Sequence, residues 1–389
     1  MESPKDTAIE SIAFFPVTPE NVAVINAYRY AHPQKKIFAV ALKTTINILK
    51  NTDLGEMIKE SHTGIALTND LEGVLKRVDS LCLLQSGLTS YLLGYIKDIV
   101  TKADSNFKIF SLLSENFKES DSNLVEIRNV AELGSHEDYS KDNVEFYHTN
   151  AIVMAVASIC EEFDNSRSVV YYAENFKKMG IKVAVLTTDS NCSILGYSLI
   201  PDECFNPGKS DTERVYTFNR LLAQLEKKLA PDLIIIDFPH SLLKYSELVP
   251  SDFGISSYII SQAIDEFDLA AITMTPEFLD GQVLPQLLKR IEFRFGFDVD
   301  QICCVNQVLE PMKVEELRIL QTRSTSSKSL EEILKDFRVA QSVDNITTFD
   351  PFNIKNDSSA KDLLERLKKN SVFAYPYYVR DIEHTHIVS

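Results

Sequence analysis

The chain has 389 residues, an apolar fraction of 44% and a formal net charge of −16, enough apolar material for about two domains of roughly 150 residues each. The acid excess, with a pI near 5.0, argues against nucleic acid or an anionic membrane as partner, since both need clustered Lys or Arg to displace counterions and no such cluster occurs. None of the six cysteines stands in a C-x-x-C pair and no apolar run approaches a membrane span or a signal core, so a soluble cytoplasmic protein without a zinc ribbon or iron–sulfur cluster is expected.

Apolar runs and turn residues predict a strand over 9–17, ended by Pro16 and Pro19, then a helix over 20–30 and strands over 36–42 and 64–68. Asn69 or Asp70 caps the next helix, which runs to about Val78. A strand over 80–85, a helix over 88–103 and a strand over 107–113 follow. Strand alternates with helix, as in a flavodoxin-like or Rossmann-like domain, and no G-x-G-x-x-G follows any strand. Residues 115–148, poor in apolar side chains, read as a connection between domains.

The second domain opens with a strand over 151–157. A helix over 167–179 closed by Gly180, a strand over 182–187, a polar stretch over 188–211 and a helix over 212–229 come next. Then comes Pro231-Asp232-Leu233-Ile234-Ile235-Ile236-Asp237-Phe238-Pro239-His240. Its β-branched run has no polar face, so it predicts an inner parallel strand covered on both sides, with Asp237 at the carboxyl end where open α/β sheets bind ligands. A helix over 256–267, a strand over 269–275, a helix over 281–295 and a strand over 299–308 continue the alternation. Beyond them, 329–340 and 360–369 read as helices and 371–378 as an aromatic, β-prone segment. The expected architecture is α/β, with two doubly wound, mostly parallel-sheet domains. Residues 1–145 are Rossmann-like or flavodoxin-like, 146–312 resemble a P-loop NTPase with a degenerate phosphate loop, and 313–389 pack on them as an extension.

A phosphate loop needs glycine, so that backbone N–H groups can wrap the anion, and a Lys that reaches the β- and γ-phosphates. Between the strand over 151–157 and the next helix stands Ser158-Ile159-Cys160-Glu161-Glu162-Phe163-Asp164-Asn165-Ser166, with no glycine, no lysine and three carboxylates. Like charges there repel a triphosphate, so neither nucleotide nor any other cofactor is expected. Asp189, Asp237, His240 and Asn306 stand at or near strand ends on the same edge and together could ring one ligand or partner crevice; polar residues at strand ends are also ordinary loop openers. Asn206-Pro207-Gly208-Lys209-Ser210-Asp211 contains Gly-Lys-Ser without the earlier glycine or a preceding strand and reads as a turn with a helix cap. His384 and His386 lack a third ligand, so no metal site is expected, and no catalytic set stands out.

Several short motifs recur in one order. They are Lys182-Val-Ala-Val-Leu-Thr-Thr-Asp-Ser-Asn-Cys-Ser-Ile-Leu-Gly-Tyr197, Pro201 and Phe205, Phe218-Asn219, the 231–239 strand, Phe253-Gly254-Ile255, Ile260-Ser261-Gln262-Ala263 and Arg294-Phe295-Gly296-Phe297-Asp298-Val299-Asp300. This order, together with Phe14-Phe15-Pro16 near the start, resembles the peptide maturation system protein family, encoded beside radical SAM maturases in clusters for ribosomally made, post-translationally modified peptides. The chain departs from that family at 157–166, where the family's pattern carries a glycine. The resemblance implies an accessory, non-catalytic protein whose partners are a radical SAM maturase, the precursor peptide, or both. A divergent nucleotide-dependent or peptide-modifying enzyme is the alternative. The resemblance carries over no catalytic residue, and it leaves a homo-oligomer open.

Overall fold

In a computed structural model the described residues are 10–42, 52–87, 89–102, 107–113, 124–126, 145–249, 253–340 and 346–374. The chain divides into two units, Met1–Asn129 with Asp189–Gly196, and Val130–Thr188 with Tyr197–Ser389.

The first unit contains β1 (Ser11–Phe15), α1 (Val22–Ala31), β2 (Lys36–Val40), β3 (Thr52–Asp53), β4 (Ala66–Thr68), α2 (Leu71–Leu75), β5 (Ser80–Leu83), α3 (Thr89–Lys102), β6 (Lys108–Ser111) and β7 (Leu124–Glu126). The sheet order is β3-β4-β2-β1-β5-β6-β7, antiparallel only at β3–β4. Counting the parallel strands alone in chain order gives 3-2-1-4-5-6, the dinucleotide-fold order, whose switch point lies between β1 and β5. All five residues of β1 are buried, as an inner strand requires. Two strands went unforeseen because both are too short to show a period: β3, and β7, which lies inside the expected connection and pairs with β6. Most of that connection lies outside the described residues.

The chain returns to the first unit at Asp189–Gly196. There the 3-10 helix Ser190–Leu195 packs against α1. Asn191 accepts a hydrogen bond from Gln85 N at 2.8 Å and donates one to Gln85 O at 3.0 Å. Gln85 follows β5, and its neighbour Leu84 bonds Phe15 O at the end of β1, so this carboxamide closes the edge at the switch point.

The second unit contains β8 (Ile152–Ser158), α4 (Ser166–Lys178), β9 (Val183–Thr187), β10 (Ser198–Leu199), α5 (Asp211–Leu229), β11 (Leu233–Ser241), α6 (Ile255–Gln262), β12 (Leu269–Met274), α7 (Val283–Phe295), β13 (Gln301–Cys304), β14 (Gln307–Leu309), α8 (Pro311–Leu317), β15 (Thr322–Ser324), α9 (Ser327–Ala340), β16 (Thr347–Phe349) and α10 (Ser358–Ala374). Its all-parallel sheet runs β10-β9-β11-β8-β12-β13-β16.

Handedness explains where the helices lie. From β8 the chain steps one way to β9 and on to β10, then back the other way through β11, β12, β13 and β16. Right-handed crossovers therefore place α4 on one face and α5, α6, α7 and α9 on the other. The packing agrees. Val153, Ala155 and Ala157 of β8 share a core with Phe218, Leu222, Ile260, Leu284, Ile291, Leu330 and Leu334, whereas α4 packs on β9, β11 and α10. The α4 face is aromatic: Tyr171, Tyr172 and Phe176 are fully buried, at roughly 1.5–3 kcal/mol of hydrophobic stabilisation each.

Three differences from the sequence reading have local causes. The strand expected over 299–308 breaks at Val305-Asn306, because Asn306 O turns to accept from Thr325 N at 2.7 Å. The 371–378 segment does not extend as β-structure from its start. Residues 371–374 end α10, since a helix already running overrides weak local propensity, while 375–378, His384 and His386 lie outside the described residues. Within the expected extension over 313–389, where no strand was expected before 371, β16 pairs with β13 and lengthens the second sheet. Gly254 is required where it stands. Its φ is 75°, and a Cβ there would meet Leu242 O at 2.2 Å, so the turn into α6 admits no side chain.

Candidate functional site at the carboxyl edge of the second sheet

Because every strand of this sheet is parallel, all carboxyl ends meet one edge, and the β8–α4 turn lies there with Thr187, Asp237 and Thr273. Asp237 is 7% exposed and both of its oxygens are taken. Asn165 Nδ2 donates to Oδ1 at 2.6 Å and the Thr187 hydroxyl donates to Oδ2 at 2.7 Å. The same Asn165 amide donates to Val156 O at 3.2 Å, and its oxygen accepts from the Thr273 hydroxyl at 2.6 Å. Thr273 in turn meets Ser168 of α4, oxygen to oxygen, at 2.7 Å. The N-cap side chain of α4 is thus turned inward and makes no capping bond to its own helix.

A helix start attracts anions, and here the chain supplies one. Asp164 accepts from the Ser166 hydroxyl at 2.5 Å and from Arg167 Nε at 2.8 Å. Arg167, 2% exposed, also donates from Nη1 to Asn306 Oδ1 at 2.8 Å and lies 5.5 Å from the Phe352 ring centroid. Asn306 Nδ2 holds Thr325 O at 2.8 Å. Burial pushes the Asp350 carboxyl above its usual range, against the pull of the Phe352 N–H and of Arg167. Burial, then the charges of Glu162 and Glu277, push the Cys160 thiol up to about 12. The bend is therefore filled by protein groups: a carboxamide bonded to the strand-end aspartate, a carboxylate on the helix start and a guanidinium locked behind it.

The expected crevice residues divide into three settings. Asp237 and Asn306 belong to this buried network through Asn165 and Arg167. His240 stands outside it at a cleft of about 530 Å³ between Thr188, Asp202, Glu203, Phe205 and Asn206. Its Nδ1 lies 2.9 Å from Glu161 Oε1, and its φ of 55° is a left-handed conformation that non-glycine residues rarely hold. Asp189 is part of the first unit, where Oδ1 accepts from Asn191 N at 2.9 Å and Oδ2 from Cys192 Sγ at 3.6 Å. Ser210 caps α5 and exchanges bonds with Glu213 in a capping box. Among the described residues no cluster of three or more His, Cys, Asp or Glu could hold a metal.

Sequence reasoning missed Asn165, Arg167 and Thr273. The available signal was a polar residue at each sheet-facing position of a helix start, which only the strand order converts into contacts with Asp237.

No family model and no curated protein matches the sequence. Among solved structures, a DUF1611 family protein from Anabaena variabilis is similar at a TM-score of 0.51 and 11% identity, covering 92% of this chain and 99% of that one. A nucleotide-binding protein from Archaeoglobus fulgidus in complex with ADP is similar at 0.31 and 15%, covering 59% and 90%, and the hydrogenase maturation factor HypB of the same organism at 0.27 and 12%, covering 57% and 89%. The first of these likenesses shows a shared two-unit α/β fold and, at that identity, the fold alone.

Proposed function

We propose that the protein is a non-catalytic accessory component of a ribosomal-peptide maturation system, binding a radical SAM maturase, its precursor peptide, or both. The observation that supports this most is the self-filled bend. Asp237 is held by Asn165 and Thr187, and Asp164 occupies the α4 start, so a triphosphate would have to displace a buried network and face Glu161 and Glu162. Motif order supplies the biological setting. A net charge of −16 suits a basic enzyme face or a Lys-rich leader, and the two-residue β10 and three-residue β16 are edge strands to which a leader could add. Co-expression of the tagged chain with maturase and precursor tests the reading. A stable complex on a sizing column is expected, and a tagged chain that shifts neither would refute it.

A second reading rests on His240. A strained backbone that holds an imidazole against Glu161 at a cleft would suit a general base acting on a peptide. If it is right, His240→Ala abolishes a modification of the precursor while complex formation persists. Unchanged modification removes it.

A further inference from the structure

A second surface lies between α6 and α7. The stripe Gln286, Lys289, Arg290 and Phe293 follows the three- and four-residue spacing of one helix face. Phe293 is 95% exposed, and Tyr258 of α6 is 42% exposed across from it. Together with Leu243 and Arg294 they border a groove of about 760 Å³. Its charged lining among the described residues is Lys289, Arg290 and Arg294, with no carboxylate, on a chain whose formal charge is −16. Arg294 is anchored by a 2.6 Å bond to Phe253 O and lies over Phe295, so it forms a fixed wall, while Lys289 and Arg290 are exposed and have no ion pair among the described residues.

We propose that this groove docks an acidic segment of a partner protein, with an apolar side chain of that segment packed against Phe293 and Tyr258. A protruding aromatic flanked by cations has the composition of an interface anchor rather than of a solvated face. The lining sets the sign: three cations in an acidic molecule favour carboxylates and repel a basic leader. A second copy fits less well. The groove is not self-complementary, so pairing it with an acidic patch on another copy would be head-to-tail and would propagate into open chains. The proposal deepens the binding role above and rests on it.

The test uses the full chain and a fluorescein-labelled peptide of about 16 residues, with Leu at helical anchor spacing and Glu elsewhere. Fluorescence anisotropy is expected to show saturable binding that weakens with salt. Phe293→Ala should weaken it about tenfold, as should Lys289→Glu with Arg290→Glu, and neither surface change should move the melting temperature. Equal binding of the peptide with Lys for Glu, no binding at millimolar peptide, or indifference to both variants would overturn the proposal. So would equally tight binding of an oligothymidylate of the same charge, which would mark a polyanion patch. A self-association in sedimentation that Phe293→Ala abolishes would assign the groove to a second copy instead. If a maturase complex survives both variants, the groove reading falls and the accessory role stands; if no partner complex forms at all, the accessory role itself falls.

Discussion

The Asn165→Ala change distinguishes a filled bend from a vacant ligand site. It removes the bond to Asp237 Oδ1 at 2.6 Å, the bond to Val156 O at 3.2 Å and the acceptor of the Thr273 hydroxyl at 2.6 Å. The first is charge-assisted, at about 1.5–3 kcal/mol, and the other two contribute about 1 kcal/mol each. Asp237, 7% exposed, loses its bond from the carboxamide at Oδ1. The sum is about 3–5 kcal/mol, which for a unit of this size lowers the melting temperature by roughly 10 °C.

Urea denaturation followed by tyrosine fluorescence suits a chain with 15 Tyr and no Trp. Adding Asp237→Ala and completing the double-mutant cycle isolates the contact, with a coupling of about 1–3 kcal/mol expected. If Asn165→Ala shifts stability by less than about 0.5 kcal/mol, or the two changes add without coupling, then Asp237 is not held by the carboxamide and the bend is available to a ligand. Thermal melts with Mg-ATP and Mg-GTP supply the complementary arm. Ligand at 100 times its dissociation constant would stabilise by about 2.7 kcal/mol, and a flat response is expected.

Arg167→Met should cost about 3–5 kcal/mol in the same assay, because Asp164 loses its cationic partner and buried Asp350 loses a nearby cation. Arg167→Lys should recover little of this, since Lys cannot span Asp164 and Asn306 as the planar guanidinium does. All six cysteines are buried, and burial pushes Cys204 and Cys303 as well as Cys160 up to about 12, so Ellman's reagent should titrate them only as the chain unfolds. In the first unit burial alone would raise the Asp53 carboxyl. Bonds from Thr63 N, Gly55 N, the Thr63 hydroxyl and Gly64 N outweigh it and leave the group below its ordinary value of 3.8. A lowered folded pKa stabilises above the unfolded value and is lost as pH falls through the folded one. Asp53→Asn should therefore destabilise by about 2–4 kcal/mol at pH 7, with the gap to wild type closing as pH drops below 3.8 in pH-dependent melts.

Long apolar runs were legible in the sequence because burial on both faces leaves a composition that survives without context. The 233–241 strand, the 152–158 strand and the bounds of α5 all stand within a residue or two of expectation. Two- and three-residue strands such as β3, β7 and β10 were not, since their identity lies in the neighbour they pair with. The same limit applies to the site. The missing glycine and lysine at 158–166 could be read directly. That Asn165 reaches Asp237 across 72 positions, and Arg167 reaches Asn306 across 139, follows only from the order β11-β8-β12-β13. Asp189 is a related case. It follows β9 in sequence, but the chain there belongs to the other unit.

The two units close their ligand edges by the same chemistry. In the first, Asn191 pairs both backbone polar groups of Gln85 where the strand order reverses; in the second, Asn165 spans Val156 O, Asp237 and Thr273. A carboxamide suits such a position because it donates and accepts at once without adding charge to a buried place. Once each edge is satisfied internally, a phosphate must win against bonds already made rather than against water, and the acids at 161 and 162 add repulsion. On the binding role proposed above, contact with a partner falls to what remains outside, the helix faces and edge strands. The exposed Phe293, one turn beyond Lys289 and Arg290, is such a surface: apolar, locally basic and set on a helix whose inner face, Leu284 and Ile291, is fixed in the core. A rigid scaffold with sealed edges holds that surface in one geometry, which lowers the ordering cost for a partner that docks on it.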